Sequence, residues 1–196
     1  SKSVVPLGRV SSSLTSSAMT NIELEVKVLD IKVEQIVAQL RQFGAVEEPE
    51  VLLQKWIFDI ESTDTKFIRL RTDGKNHTMA YKYKTANTAA IGRTEEIEVG
   101  VANFDTTAEI LKKLNFKKIF YQESKRHRFV LTDVEITLDT WPKIPTYLEI
   151  EASSQEKIDE VLMKLGLMGK DRGDLDIKDI YAKQGLDIHS FKELKF

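Results

Sequence analysis

Residues 22 to 28 read Ile22-Glu23-Leu24-Glu25-Val26-Lys27-Val28 and alternate without a break. Ile22, Leu24, Val26 and Val28 fall on one face, and Glu23, Glu25 and Lys27 on the other. A period of two is that of an extended strand, whose successive side chains point to opposite sides of a sheet. The apolar face belongs against a core. The other face carries a charge at every position, and the purpose of such a face decides how the rest of the chain is read.

The pattern returns along the sequence. Arg69 and Arg71 share a face in the run 67–72, Lys82 and Lys84 in 78–84, and Glu96 and Glu98 in 93–99. Arg126 and Arg128 follow in 125–131, Asp139 in 134–140, and Glu149 and Glu151 in 146–152. The opposite faces are mostly apolar, as in Ile68/Leu70, Val134/Ile136/Leu138 and Leu148/Ile150. A further run at 53–60 brings the expectation to about eight strands. In that run Trp56, Phe58 and Ile60 share a core-like face, while Lys55 and Asp59 lie on the other. Asp73-Gly74-Lys75-Asn76 signals a hairpin, and residues 85 to 92 form a flexible link. Helical spacing marks 31–43, with Gly44 as a stop, then 105–114 and 174–184. Another helix runs from Ser153 to Leu165, with Ser153 and Glu156 forming a capping box. The pairs Lys112-Lys113 and Lys117-Lys118 flank a helix end and favour its dipole.

Composition narrows the function. The 196 residues suffice for one domain with a sizeable core. Lysine and arginine number 29 against 31 acidic residues, a net charge of -2, so no basic surplus points to general nucleic-acid binding. Cysteine is absent, which removes disulfides, thiol chemistry and cysteine zinc sites. No apolar run approaches membrane-spanning length. There is no phosphate-binding Walker loop and no dinucleotide glycine fingerprint. Residues 1 to 18 are serine-rich and acid-free, read as a leader or tag ahead of Met19, with a single domain over 19–196.

One charged strand face is ordinary, because antiparallel sheets commonly turn one face to water. Seven are not, when like charges stand at i and i+2 and repel each other. An anion relieves the Arg and Lys pairs, and a divalent metal relieves the carboxylate pairs. A polyphosphate chelated by magnesium or manganese supplies both, since hard cations take oxygen ligands and share them with phosphates, and guanidinium forks match phosphate oxygens. If the sheet curls into a barrel, the charged face becomes its interior and the helices cover the apolar outside.

At this point the residues match a family. Glu23-Leu24-Glu25-Val26-Lys27 resembles the ExExK signature of the CYTH superfamily, the triphosphate tunnel metalloenzymes. Arg69-Leu70-Arg71, Tyr81-Lys82, Glu96-Ile97-Glu98, Arg126, Ile136-Thr137-Leu138-Asp139 and Tyr147-Leu148-Glu149-Ile150-Glu151 follow in the family's order, over roughly residues 21 to 165. The resemblance implies an α+β fold, an eight-stranded antiparallel β-tunnel that is a closed or nearly closed barrel flanked by helices. It implies Mg2+ or Mn2+ as cofactor, held by Glu23, Glu25, Glu149 and Glu151, with Asp139 in reach. Lys27, Arg69, Arg71, Lys82, Lys84, Arg126 and Arg128 are then phosphate ligands, and Lys55 is a further candidate by parity. Lys27, Asp139, Glu96 and Glu98 are candidates for catalysis. Two departures stand out. Many members carry Lys-x-Arg where this chain has Ser124-Lys125-Arg126-His127-Arg128, which makes Arg126 and Arg128 the basic pair. The Trp141-Pro142-Lys143-Ile144-Pro145 loop replaces a glycine-containing one. The expected activity is hydrolysis of the terminal phosphate of a triphosphate. A class IV-type adenylyl cyclase and a non-catalytic polyphosphate- or nucleotide-binding module remain the alternatives. The partner is a triphosphate-containing small molecule, with neither membrane nor sequence-specific nucleic acid. The expected location is cytoplasmic, and a homodimer is left open.

Overall fold

Alternation from Leu24 onward becomes the first strand of one large sheet in a computed structural model that describes residues 24–61, 65–85, 93–170, 172–173 and 175–196, with backbone only at 84–85, 93–95 and 172. Residues 1–18, for which a leader or tag is the expectation, Met19 and Glu23 lie outside the described residues, as do the side chain of Lys84 and most of the expected link at 85–92.

Eight long strands form, in the places alternation marks: β1 (Leu24–Val28), β3 (Val51–Asp59), β4 (Lys66–Thr72), β5 (His77–Thr85), β6 (Arg93–Gly100), β7 (Lys118–Leu131), β8 (Val134–Thr140) and β9 (Tyr147–Ala152). Three two-residue strands join them: β2 (Val46–Glu47), β10 (Arg172–Gly173) and β11 (Glu193–Leu194). The order across the sheet is β10-β1-β9-β8-β7-β3-β4-β5-β6. All pairs along this path are antiparallel, and among the described residues no ladder joins β1 to β6, so the barrel is nearly closed rather than closed. One strand is longer than expected. Lys118 opens β7, so the second lysine pair does not sit at a helix end. The seven residues before Lys125 pair with β3 from Leu53 to Asp59.

Among the described residues there are four α-helices, of which α1 (Val33–Gln42), α2 (Phe104–Lys112) and α3 (Gln155–Lys164) cover the outer face and α4 (Ile177–Lys183) packs at one end of the sheet. Ile36 and Leu40 of α1 and Ile158, Val161 and Leu162 of α3 pack on Val28, Phe129, Ile136, Leu148 and Ile150, the outward apolar residues of β1, β7, β8 and β9. Full burial of a Leu or Ile side chain contributes roughly 1.5–3 kcal/mol, so this cluster holds one half of the sheet in place. Phe104, Ala108 and Leu111 of α2 do the same over Phe58 and Leu70. The start of α3 differs from the expected box, because Ser154 is its N-cap and Ser153 instead receives the Lys157 ammonium. The true capping box opens α4, between Asp176 and Asp179. Ile180, Tyr181, Ile188 and Leu194 pack against Trp141, Ile144 and Tyr147, and the Tyr181 hydroxyl donates to the Pro142 carbonyl at 2.6 Å. The C-terminal segment thus fastens the Trp-Pro loop at one end of the sheet.

Candidate active site

Cross-strand register turns strand parity into one continuous surface. Residues directly opposite each other on neighbouring strands project to the same side. Glu25 stands opposite Glu151 and Lys27 opposite Glu149; Asp139 stands opposite both Tyr147 and Arg126. On the other half Lys55 is opposite Arg71, Ile57 opposite Arg69, Ala80 opposite Glu98, and Lys82 opposite Glu96. The face they share surrounds a cavity of about 530 Å³, lined by Glu25, Leu53, Lys55, Arg69, Arg71, Lys82, Glu96, Glu98, Arg126, Glu149 and Glu151. That volume lies in the range of small-molecule sites.

Like-charged pairs in this cavity do not stand alone. Arg69 donates to Glu96 at 2.9 Å and to Glu98 at 3.0 Å, and Lys82 reaches Glu96 at 2.8 Å. Arg71 is 3.8 Å from Glu98. Across the tunnel, Arg126 grips Asp139 through two bonds of 2.8 and 2.5 Å and touches Glu149 at 3.2 Å. Lys27 bridges Glu25 and Glu149. The expectation that such pairs are relieved only by an anion or a metal is therefore corrected. Strand order brings basic and acidic strands side by side, and the empty tunnel largely neutralises itself.

Not every expected residue lines the cavity. Arg128 shares the inward parity, yet its guanidinium is bound by Glu48 and by Glu135, the latter at 2.8 Å, away from the cavity lining. Asp139, only 3% exposed, stands behind Arg126. His127 faces outward to Glu47 and the Phe129 ring. Two residues of the site were not read from sequence. Tyr147 has the parity of Glu149 and Glu151 and is buried beside Asp139. Trp141 presents its ring to Lys55, whose Nζ lies 4.2 Å from the ring centroid. Parity would have revealed Tyr147; nothing local reveals Trp141, which follows the strand in a loop. Past Lys55 the same face carries Ile57 and the buried Asp59, which line a second cavity of about 100 Å³ with Phe67, Phe120, Gln122 and Ile177.

A CYTH domain model matches residues 21–175. The chain belongs to the CYTH family. A protein of Methanocaldococcus jannaschii named "Putative adenylate cyclase" is 27% identical over 154 residues, which cover 74% of this chain and 87% of that one. The solved structure of a conserved hypothetical protein from Pyrococcus furiosus superposes with a TM-score of 0.66 at 24% identity, covering 81% of this chain and 99% of that chain. A Hippeastrum protein, described as a "putative adenylyl cyclase" with a dominant triphosphatase activity, superposes with a TM-score of 0.54 at 13% identity, covering 84% and 95%.

The electrostatics of this CYTH tunnel follow from crowding. Burial, then the charge of Arg69, lowers Lys82 from its ordinary value, and the same two causes lower Arg71. Burial is the largest single influence on Arg126 and works against it, but the bonds to Asp139 together with the charges of Asp139 and Glu149 outweigh it, and the net shift is upward. Tyr147 is pushed up by burial and by the charges of Asp139 and Glu149. Lys55 is pushed down to about 7, first by burial and then by Arg126, Arg69 and Arg71, against the attraction of Asp139.

The donor set also bears on a metal. Glu25, Glu149 and Glu151 offer carboxylate oxygens on adjacent strands of one wall, the ligand type of a hard divalent cation. Among the described residues no three acidic or histidine side chains are yet drawn together as a cage. Lys27 stands between Glu25 and Glu149 in the place a cation would take. The chemistry of the set fits magnesium or manganese, on condition that the Lys27 ammonium moves aside.

Proposed function

We propose that this CYTH protein is a metal-dependent hydrolase that removes the terminal phosphate of a triphosphate. The observation that carries this reading is the charge balance of the cavity. Lys27, Lys55, Arg69, Arg71, Lys82 and Arg126 stand against Glu25, Glu96, Glu98, Asp139, Glu149 and Glu151. A bare triphosphate would leave the site strongly negative, and a bare divalent cation would leave it positive. A divalent cation bound with the triphosphate offsets part of that negative charge while giving every wall an opposite partner.

The chain's own residues divide the work. The Arg69, Arg71 and Arg126 forks and the Lys55 and Lys82 ammoniums hold phosphoryl oxygens and spread the charge that builds on them. Asp139 keeps the planar Arg126 fork aimed. Lys27, released from Glu149, turns to the terminal phosphoryl group. Glu96 or Glu98 orients a water and accepts its proton as the water oxygen attacks the terminal phosphorus and the bond to the bridging oxygen breaks. A divalent cation at Glu23, Glu25, Glu149 and Glu151, when bound, neutralises phosphate charge and fixes the geometry of the displacement.

The name of the Methanocaldococcus relative favours a second reading, an adenylyl cyclase. The same cradle would then hold ATP while the ribose 3′-oxygen attacks the α-phosphorus and expels pyrophosphate. A panel of inorganic triphosphate, ATP and other organic triphosphates, with Mg2+ or Mn2+, separates the two by product. Orthophosphate from triphosphate is expected to dominate. Cyclic AMP and pyrophosphate formed from ATP faster than triphosphate is hydrolysed would establish the cyclase. Tight binding with no product would establish a binding module. Metal-triphosphate should also raise the melting temperature by linkage, by about 2.7 kcal/mol of stability at a hundred times Kd. Orthophosphate at equal concentration should do much less, and equal shifts would mean that the site does not recognise a phosphate chain.

A further inference from the structure

Lys27, Arg69, Arg71, Lys82 and Arg126 each meet a carboxylate in the tunnel. Lys55 meets none at ion-pair distance among the described residues; its contact is the face of Trp141. Its neighbours across the strands are Arg71 on β4, a like charge, and Gln122 on β7, a neutral amide. The charged groups acting most strongly on it are Arg69 and Arg71 from β4, Arg126 from β7 and Asp139 from β8, while Lys82 on β5, Glu96 and Glu98 on β6, Glu25 on β1 and Glu149 and Glu151 on β9 line the same cavity. Asp139 is the strongest attraction on it, and Arg126 already holds both of its oxygens. Part of the Lys55 surface opens into the cavity, yet protein walls surround it, so water stabilises its charge poorly.

We propose that Lys55 is a proton-gated anion subsite, which takes up a proton when a phosphoryl chain enters the tunnel and releases it when the tunnel empties. This rests on the triphosphate-binding reading above. In the empty tunnel, desolvation and three guanidiniums hold the ammonium near its point of deprotonation, about 7. A phosphoryl chain supplies the negative charge that the wall around Lys55 lacks, and the amine takes its proton from solvent. Below pH 7 Lys55 is already charged, so binding takes up nothing there. Above pH 7 binding draws in up to one proton, and affinity falls by up to about tenfold per pH unit until the value of the occupied tunnel is passed.

Calorimetric titration of the full chain with magnesium and diimidotriphosphate, which resists hydrolysis, reads this without turnover. Buffers of different ionisation enthalpy give the number of protons exchanged. Protons exchanged by the ligand and by other residues are common to all variants, so the difference isolates Lys55. At pH 8 the wild type should take up close to one proton more than Lys55→Met or Lys55→Arg, and the difference should vanish at pH 6. Lys55→Arg, which stays charged, should keep its affinity at pH 8. Lys55→Met should bind about ten- to a hundredfold more weakly at pH 6. The melting temperature of the ligand-free proteins gives a second readout and shows that the variants fold. The folded value lies below the unfolded one. The charged lysine is therefore a full burden below pH 7, and stability recovers as pH rises toward the unfolded value of 10.5. Lys55→Met should melt higher than wild type at pH 6, with the gap narrowing by pH 9. Binding with equal proton uptake in wild type and Lys55→Met overturns the subsite and leaves the triphosphate reading standing. Failure of the wild type to bind the analogue sinks both.

Discussion

Glu25→Gln should abolish metal-dependent turnover while leaving the fold intact. Glu25 stands directly opposite Glu151 in the β1/β9 pair, and like charges so placed destabilise a sheet. Removing one of them relieves the pair, Lys27 keeps Glu149 as its counter-charge when it loses Glu25, and the amide keeps the size and hydrogen-bonding reach of the side chain. What is lost is an anionic oxygen for the cation, whose stabilisation of transition-state charge amounts to several kcal/mol. Each 1.36 kcal/mol is about tenfold in rate, so kcat should fall by at least roughly a hundredfold. By resemblance Glu23→Gln should behave alike. Initial rates in excess magnesium, with circular dichroism and melting temperature alongside, decide the matter. Turnover near the wild-type value would remove Glu25 from the metal site.

The largest effect on stability is expected from Arg126→Met. Asp139 is 3% exposed and accepts both of its charged bonds, at 2.8 and 2.5 Å, from Arg126. Removing the guanidinium leaves a buried carboxylate without its hydrogen-bonded counter-charge, with Lys55 attracting it only from a distance. Breaking a buried pair in this way costs about 3–5 kcal/mol, more than the pair itself contributes. Denaturant unfolding at neutral pH should show this loss. Arg126→Met combined with Asp139→Leu should recover most of it, because no unpaired charge is then left in the core. A single variant within about 1 kcal/mol of wild type would show that Asp139 finds another partner and that the pair does not organise this wall. Triphosphate affinity should fall in both variants, which separates the binding role of Arg126 from its structural one.

Strand parity is a local property, and most of the site was legible for that reason. Side chains at i and i+2 share a face whatever the strand later pairs with, so Glu25 and Lys27, Arg69 and Arg71, Glu96 and Glu98, and Glu149 and Glu151 could be assigned to one surface from their spacing. Lys55 was assigned there in the same way. The first half of β7 is not legible in the sequence because Lys117 and Lys118 resemble a helix end, and alternation breaks where Phe120 and Tyr121 stand together. The Ser153 cap was misplaced by one residue, an error that a sequence pattern alone does not resolve.

From the sequence alone follow the strands, their charged and apolar faces, the helices that cover the apolar side and the kinship with tunnel enzymes. Tertiary structure alone decides which charges meet. The order β1-β9-β8-β7-β3-β4-β5-β6 places the basic β4 two strands from the acidic β6, so that Arg69 reaches both Glu96 and Glu98. It sets Arg126 against Asp139, and it leaves Lys55 between an arginine and a glutamine beneath the Trp141 ring. A side chain's face depends on its own strand, whereas its charge state depends on what the neighbouring strands bring within a few ångströms in a cavity with little water.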